Sequence, residues 1–229
     1  MKALILAAGK GTRLRPLTDD IPKVMVEVDG KPLIEHIIDD ILSIGIEQIT
    51  VVKGYKGEKL EEGLEKYSGI DFEEQEEQLG TAHAIGISSF EEPFLVVNGD
   101  VFIHRENLSR AVSFFKGEEN VDAVIGSYTV EDPEEFGVLE TQNSSVKNIL
   151  EKPDDPPTNL INTGVYVFSP VVYNIIERTG LSERGEYEIT ESLKMMIDRG
   201  IDVRHVRFDR YWIDVGRHED LERARNLGV

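Results

Sequence analysis

The chain contains no cysteine among its 229 residues, which removes disulfides and thiolate-bound metals from any account of its folding or chemistry. That is compatible with a reducing compartment, and the expected location is the cytoplasm. No apolar run approaches the ~18–20 residues that a bilayer-spanning helix needs. The N-terminal "ALILAAG" is too short for an export signal and lacks a small-residue cleavage pattern, so no membrane association is expected. The five histidines are scattered without metal-ligand spacing, and none is assigned a role. Positive charge is also scarce. Against 44 Asp and Glu stand 25 Lys and Arg, a net charge of −19, which argues against a nucleic-acid partner.

The scarcity is uneven. Residues 1–31 carry six Lys/Arg and four Asp/Glu, a positive island in an otherwise acidic chain. Placed on a glycine-rich loop, such an island suits capture of a small polyanion. With 40% hydrophobic and 30% charged residues, the remainder reads as a soluble domain long enough for one sizeable core.

Strand-like and helix-like stretches alternate through the first half. "ALILAA" (3–8), "QITVVK" (48–53), "IDFEE" (70–74) and "PFLVVNGD" (93–100) read as strands. Between them, "KPLIEHIIDDILSIG" (31–45) has apolar residues at helical spacing and ends at Gly45, "KGEKLEEGLEKY" (56–67) is a polar helix, and "TAHAIGISSF" (81–90) a small-residue helix. Short connections between such elements predict βαβ units on a parallel sheet covered on both faces. After about residue 120 the texture turns strand-rich, and helices return near 170–179, 188–199 and 217–227. The fold class expected is α/β: one Rossmann-like domain over 1–229 with a mixed, mostly parallel sheet. Its nucleotide-binding half covers about 1–115 and a second, pocket-building half about 116–229. No hexapeptide repeat follows residue 216, so no C-terminal β-helix domain is expected.

"LAAGKGTRLRPLT" (6–18) resembles two familiar phosphate loops and fits neither. A P-loop would need glycine where Leu6 stands, and a dinucleotide fingerprint would need a third glycine where Leu14 stands. What remains is physical. Glycines after a strand free backbone N–H groups to face an anion, and Lys10, Arg13 and Arg15 follow at once. Pro16 bars an ordinary helix interior there, so the basic segment is expected to be an extended loop over the site.

That loop and the later "PK" resemble the signature of the sugar-1-phosphate nucleotidyltransferases. "QLGTAHA" (78–84), "VNGD" (97–100), "FGVLE" (136–140), "LEKP" (150–153), "NTGVYVFS" (162–169), "GEYEIT" (185–190) and "WIDVG" (212–216) follow in that family's order and spacing, eight segments over about 210 residues. The resemblance implies transfer of a nucleotidyl group from a nucleoside triphosphate to a sugar 1-phosphate, with release of pyrophosphate and dependence on Mg²⁺. It implies a catalytic role for Arg13, at the triphosphate and leaving pyrophosphate, and for Lys23, at the α-phosphoryl region. Leu6, Ala8, Gly9, Gly11 and Thr12 would meet the nucleotide, as would Gln75, Gln78, Gly80 and Thr81 around the base. Asp100 and Asp214 would ligate the metal. Gly137, Glu151, Asn162, Thr163, Gly164 and Glu188 would bind the sugar, and Lys152 its phosphate. Glu188 has a rival reading as a helix N-terminal acid that complements the macrodipole. Tyr166 and Trp212 are set aside as core aromatics.

A glutamine amide carries both donor and acceptor, which suits a pyrimidine edge, and Gln75 stands three residues before "QLGT", where the resemblance to the uridylyl- and thymidylyltransferases implies a base-reading glutamine and hence UTP or dTTP. Glucose 1-phosphate and N-acetylglucosamine 1-phosphate are both open as acceptors. A GTP-dependent mannose-1-phosphate guanylyltransferase and a non-catalytic nucleotide-sugar-binding regulator are the alternatives. Association with further copies is left open.

Overall fold

The computed structural model describes residues 1–227. Nine strands form the main sheet, in the order β5-β4-β1-β6-β11-β8-β12-β10-β9. These are β1 (Lys2–Leu6), β4 (Ile49–Lys53), β5 (Ile70–Glu74), β6 (Phe94–Asn98), β8 (Ala123–Thr129), β9 (Gly137–Gln142), β10 (Ser145–Glu151), β11 (Leu160–Phe168) and β12 (Val203–Arg207). Two small ladders lie outside it: β2 (Glu27–Val28) with β3 (Lys31–Pro32), and β7 (Val101–Ile103) with β13 (Trp212–Asp214).

The sheet is mixed, as expected, and its continuous parallel run belongs to the first half. β5, β4, β1 and β6 are mutually parallel, whereas β11 pairs antiparallel with both β6 and β8. Beyond that, β12 pairs parallel with β8, and β10 and β9 close the edge antiparallel. The cause is the connection type. Helical crossovers join the first strands, while turns join the strand-rich stretch after residue 120 and return the chain antiparallel.

Helices cover both faces. α1 (Leu33–Ser43), α2 (Gly57–Leu64) and α4 (Arg105–Gly117) lie on one side; α3 (Thr81–Ile87), α5 (Val171–Ile176) and α6 (Ile189–Asp198) lie on the other. Alternation along β1 sets the division: Ala3 and Ile5 join the first core with Ile34, Ile37 and Leu108, and Leu4 joins the second with Ile85, Val172 and Leu193. α1 ends as its glycine foretold. Gly45 takes φ +83° while its N–H donates to Leu42 O and that of Ile46 to Ile41 O, a Schellman closure. The helix α4 and the short strand β7 before it were not legible in the periodicity. α4 begins on two charged residues and buries only Asn107, Leu108, Ala111 and Val112, a narrow stripe. Among the described residues no helix is long and apolar enough to cross a membrane.

A third, smaller core shapes the site. Leu14, Val26, Val28, Leu33, Phe102, Ile213, Val215 and Leu221 pack together, the last on α7 (His218–Arg225). The basic segment is therefore not an extended loop. It folds as 3₁₀ turns at Thr12–Leu14 and Lys23–Met25, because Leu14 is fully buried and pulls the chain down between Arg13 and Arg15.

Candidate active site

β1 and β6 run side by side and parallel, so the segments after Leu6 and Asn98 leave the sheet at the same edge. In open α/β sheets that carboxyl edge is where ligands bind. Gly99 N donates to Leu6 O at 2.8 Å, tying the two exits together. The β7–β13 ladder continues the arrangement. It sets Asp214 opposite Val101, and Val215 N donates to Asp100 O at 2.9 Å, so the two aspartates stand together although 114 residues separate them.

Between them reaches Lys23. Its Nζ donates to Asp100 Oδ2 at 2.8 Å, and its side chain is only 10% exposed. Burial by itself would lower the lysine's pKa, but the charges of Asp100 and Asp214 and the hydrogen bond to Asp100 outweigh it, and the net shift is upward. Asp214 is driven the other way in charge: burial first, and Asp100 second, push its carboxyl above the usual carboxylate range, against the pull of Lys23 and Arg13. Lys23 thus contacts one of the two carboxylates and acts on the other only through its charge. No cluster of three or more His, Cys, Asp or Glu suited to a metal occurs among the described residues. Two hard oxygen donors with unbalanced charge match a divalent cation that takes its other ligands from phosphate and water.

Arg13 approaches from the loop. A Cβ on Gly216 would lie 3.3 Å from Asp214 Oδ2 and 3.6 Å from Arg13 Nη2, so the aspartate and the guanidinium both stand beside this glycine. Arg13 Nη1 is 3.4 Å from Glu135 Oε2, and Arg217 binds the other oxygen of the same carboxylate. These groups face a cavity of about 630 Å³ that also takes in Lys152, Trp212 and Asp214. Gly9, Gln75 and Glu188 lie outside that cavity.

The glycine-rich turn and the base-side segment are stitched by hydrogen bonds. Ala8 O accepts from Gln78 Nε2 at 3.0 Å and from Tyr55 N, and Gly11 O accepts from the Thr18 hydroxyl at 2.8 Å. The carbonyls of Leu6 and Ala8 are therefore engaged within the protein. Gly9 meets nothing within 4 Å of where a Cβ would stand, and Thr12 opens the first 3₁₀ turn. Gly80, at φ +112°, passes so near Tyr187 that a Cβ would lie 2.5 Å from its carbonyl oxygen. Ala82 N donates to Tyr187 O, Tyr187 N to Leu79 O, and Ile189 N to the Thr81 hydroxyl. The segments expected to hold base and sugar are thus one hydrogen-bonded unit.

Among the residues expected to bind the sugar, Gly137, Asn162 and Glu151 converge together with Thr190, with Glu151 Oε2 and the Asn162 Cβ each 3.5 Å from a Cβ built on Gly137. Arg184 Nη1 bridges Glu151 at 3.4 Å and Glu188 at 3.2 Å. The second contact lacks hydrogen-bond geometry, and the buried Glu188 Oε1 has no hydrogen-bond partner among the described residues. Burial, then the charge of Glu151, push the Glu188 carboxyl upward against the pull of Arg184. Glu188 is also the N-cap of α6, but its side chain makes no capping bond. Asn162 Nδ2 donates to the Tyr166 hydroxyl at 2.6 Å and its Oδ1 accepts from Gly164 N. Gly164, at φ +74°, leaves space for the amide of Asn98, whose buried Oδ1 has no partner among the described residues.

Thr163 departs from expectation. Its hydroxyl is buried and donates to Gly126 O at 2.7 Å, while its carbonyl accepts from Trp212 Nε1 at 3.0 Å, so its side chain has no hydrogen left to offer a ligand. The two aromatics set aside as core do bury themselves, yet Tyr166 holds Asn162 and Trp212 lines the cavity. Sequence reasoning missed Glu135, Arg184, Arg217 and His83. Arg217 directly follows "WIDVG" and Arg184 directly precedes "GEYEIT", so adjacency to matched segments was the available signal.

The chain matches the model of a protein family described as nucleotidyl transferase over residues 2–227. It is 38% identical over 232 residues to the UTP–glucose-1-phosphate uridylyltransferase AglF of Haloferax volcanii, covering 98% of this chain and 95% of that protein. It is also 38% identical over 231 residues to the bifunctional protein GlmU of Methanococcus maripaludis, of which it spans 54%. Among solved structures, a Bacillus anthracis protein assigned as a glucose-1-phosphate thymidylyltransferase superposes with a TM-score of 0.88 at 30% identity, covering 99% of this chain and 94% of that one. A UDP-glucose pyrophosphorylase solved with UDP-glucose gives 0.89 at 26% identity, covering 99% of this chain and 97% of that one.

Proposed function

The chain belongs to the nucleotidyl transferase family, and from that premise we propose that it joins UTP to glucose 1-phosphate, giving UDP-glucose and pyrophosphate. It is a sugar-1-phosphate nucleotidyltransferase. The choice of UTP and glucose rests on the Haloferax relative, whose length the chain nearly spans. dTTP and N-acetylglucosamine 1-phosphate are the competing substrates.

The observation that carries the reading is the part-buried Lys23–Asp100 ion pair at 2.8 Å, with Asp214 beside it and Arg13 at its edge. It is a place built to balance charge. Both substrates are polyanions, and a phosphate monoester with its second pKa near ~6 is already largely ionised at neutral pH. No general base is needed. An oxygen of the sugar phosphate attacks the α-phosphorus in line, and the bond to the β-phosphate oxygen breaks, releasing pyrophosphate. Lys23 would stand at the α-phosphoryl oxygens, and Arg13 at the leaving pyrophosphate, where its contact strengthens as charge shifts outward. Lys152 would hold the sugar phosphate, with Glu151, Asn162, Gly137, Gly164 and Glu188 around the hydroxyls. Gly9, Gly11, Gln75, Gln78, Gly80 and Thr81 would surround the nucleotide.

Asp100 and Asp214 fit a Mg²⁺ ion that takes its remaining ligands from phosphate oxygens and water. Such an ion would offset charge on the triphosphate.

The test is pyrophosphate release with Mg²⁺, crossing UTP, dTTP, CTP, GTP and ATP against glucose, N-acetylglucosamine, galactose and mannose 1-phosphates. Release that requires both UTP and glucose 1-phosphate is expected. A grid that responds to another pair would reassign the substrates, and one without response would remove the proposal.

A further inference from the structure

Gln75 follows β5, with its backbone N–H held by Lys53 O at 2.8 Å. Its side chain is almost fully buried, and Nε2 lies 3.1 Å from Gly80 O and 2.9 Å from Nδ1 of His83 on α3. A carbonyl can only accept, so the amide atom facing Gly80 O is the nitrogen. Nδ1 of His83 is then an acceptor too, and the imidazole carries its proton on Nε2. Both amide hydrogens of Gln75 are engaged. Its Oε1 has no protein partner among the described residues and is not one of the sealed, unpaired buried atoms, which are Asn98 Oδ1, Glu188 Oε1 and Thr190 Oγ1. The oxygen is therefore not fully sealed from solvent, although the residue as a whole is 4% exposed.

The glutamine is in this way reduced from a two-way reader to an acceptor. A flipped amide would set Oε1 against the Gly80 carbonyl and would require His83 to move its proton from Nε2 to Nδ1. Uracil and thymine present an N–H at ring position 3, whereas cytosine presents a bare nitrogen lone pair there. An acceptor fixed in the protein would pair with the first and repel the second.

We propose that His83 is a positioning residue that locks the Gln75 amide with its carbonyl oxygen outward, and thereby makes the site choose uracil or thymine over cytosine. This rests on the reading above that Gln75 faces the base. His83 itself touches no substrate in this account. It acts through the orientation of its neighbour.

UTP and CTP share ribose and triphosphate, so the ratio of their kcat/KM values isolates the base and is insensitive to the fraction of protein folded. His83→Leu removes the acceptor, and the UTP-over-CTP ratio is expected to fall about five- to tenfold, the worth of one hydrogen bond. His83→Asn offers an amide oxygen near the place of Nδ1 and should restore the ratio to within about twofold. An unchanged ratio in His83→Leu overturns the proposal, and so does an equal fall in both variants, which would mean that only packing matters. Gln75→Leu separates the two readings. If it lowers the ratio while His83→Leu does not, His83 alone has lost its role. If neither lowers it, Gln75 does not face the base.

Discussion

Gly11 and the stem of Lys23 are packed so closely that a Cβ on residue 11 would meet the Lys23 Cβ at 2.7 Å, with Gly11 held at φ +60°. The turn that follows β1 and the lysine that pairs with Asp100 are thus a single fitted unit. Gly11→Ala should strain the backbone by ~1–2 kcal/mol and displace Lys23 as well. A fall in Tm of several degrees, at ~2–4 °C per kcal/mol, should accompany a loss of kcat. Gly9→Ala is the contrast, since nothing lies within 4 Å of its Cβ position. It should keep the wild-type Tm and raise KM for the nucleotide, because only a ligand would occupy that space. Calorimetry and steady-state kinetics on the two variants check this.

Lys23 occupies the ground that a divalent cation would contest. Lys23→Gln should lower kcat/KM by roughly 100-fold, the scale of losing one preorganised charge at a developing anion. It should also leave Asp100 and Asp214 unbalanced, at a cost of up to about 3 kcal/mol in metal-free stability. Added Mg²⁺ should then raise the Tm of the variant more than that of the wild type, since the lysine no longer competes for Asp100. Equal metal responses in the two proteins would show that Lys23 and the metal do not share that carboxylate.

What the sequence disclosed and what it hid have physical reasons. The apolar runs of β1, β4 and β6 and the stripe of α1 were legible because burial on both sheet faces, or on one helix face, imposes a period. The loop residues Arg13 and Lys23 stood out as cations beside glycine and proline, but the structure of their segment did not. Only the packing of Leu14 with Ile213 and Val215, some 200 residues away, turns that loop into 3₁₀ turns. The strand order past β11 was hidden, because it depends on which long-range partner each strand finds. Thr163 misled for a local reason: a hydroxyl in a matched segment looks available until Gly126 is seen to accept it. Glu135 was invisible because only the fold sets it between Arg13 and Arg217, and Arg217 had no mark beyond its place after "WIDVG".

Asp40 offers a pH test away from the site. Burial first, and Asp39 last, raise its carboxyl to about 6, while Lys31 and Arg105 oppose the shift. A carboxyl whose folded pKa exceeds its unfolded value near ~3.9 favours folding below the lower value, and that contribution is lost as pH rises through the higher one. Wild-type stability should therefore fall, relative to Asp40→Asn, between about pH 4 and pH 6, and stay lower above. Because the group is partly exposed, solvent screening reduces the difference to about 1 kcal/mol. Urea titrations of both proteins at pH 4 and pH 7.5 measure it. Parallel stabilities at the two pH values would show that Asp40 ionises normally in the fold.

Glu135 bridges Arg13 and Arg217 across the mouth of the cavity, with one oxygen for each guanidinium. A carboxylate between two arginines stands where a phosphate would be drawn, so it competes with a polyphosphate for both. Glu135→Gln should therefore improve binding: KM for the triphosphate and Kd for pyrophosphate should each fall by up to about fivefold, the upper range for an exposed ion pair worth ~1 kcal/mol. The gain should shrink as salt is raised, because all three side chains are about half exposed. It should also shrink in an Arg217→Ala background, since one of the two cations released by Glu135 is then gone. Were Glu135 instead a strut that aims Arg13, its loss would raise KM and lower kcat together. The direction of the change in KM thus decides between a competitor for the phosphates and a support for the arginine.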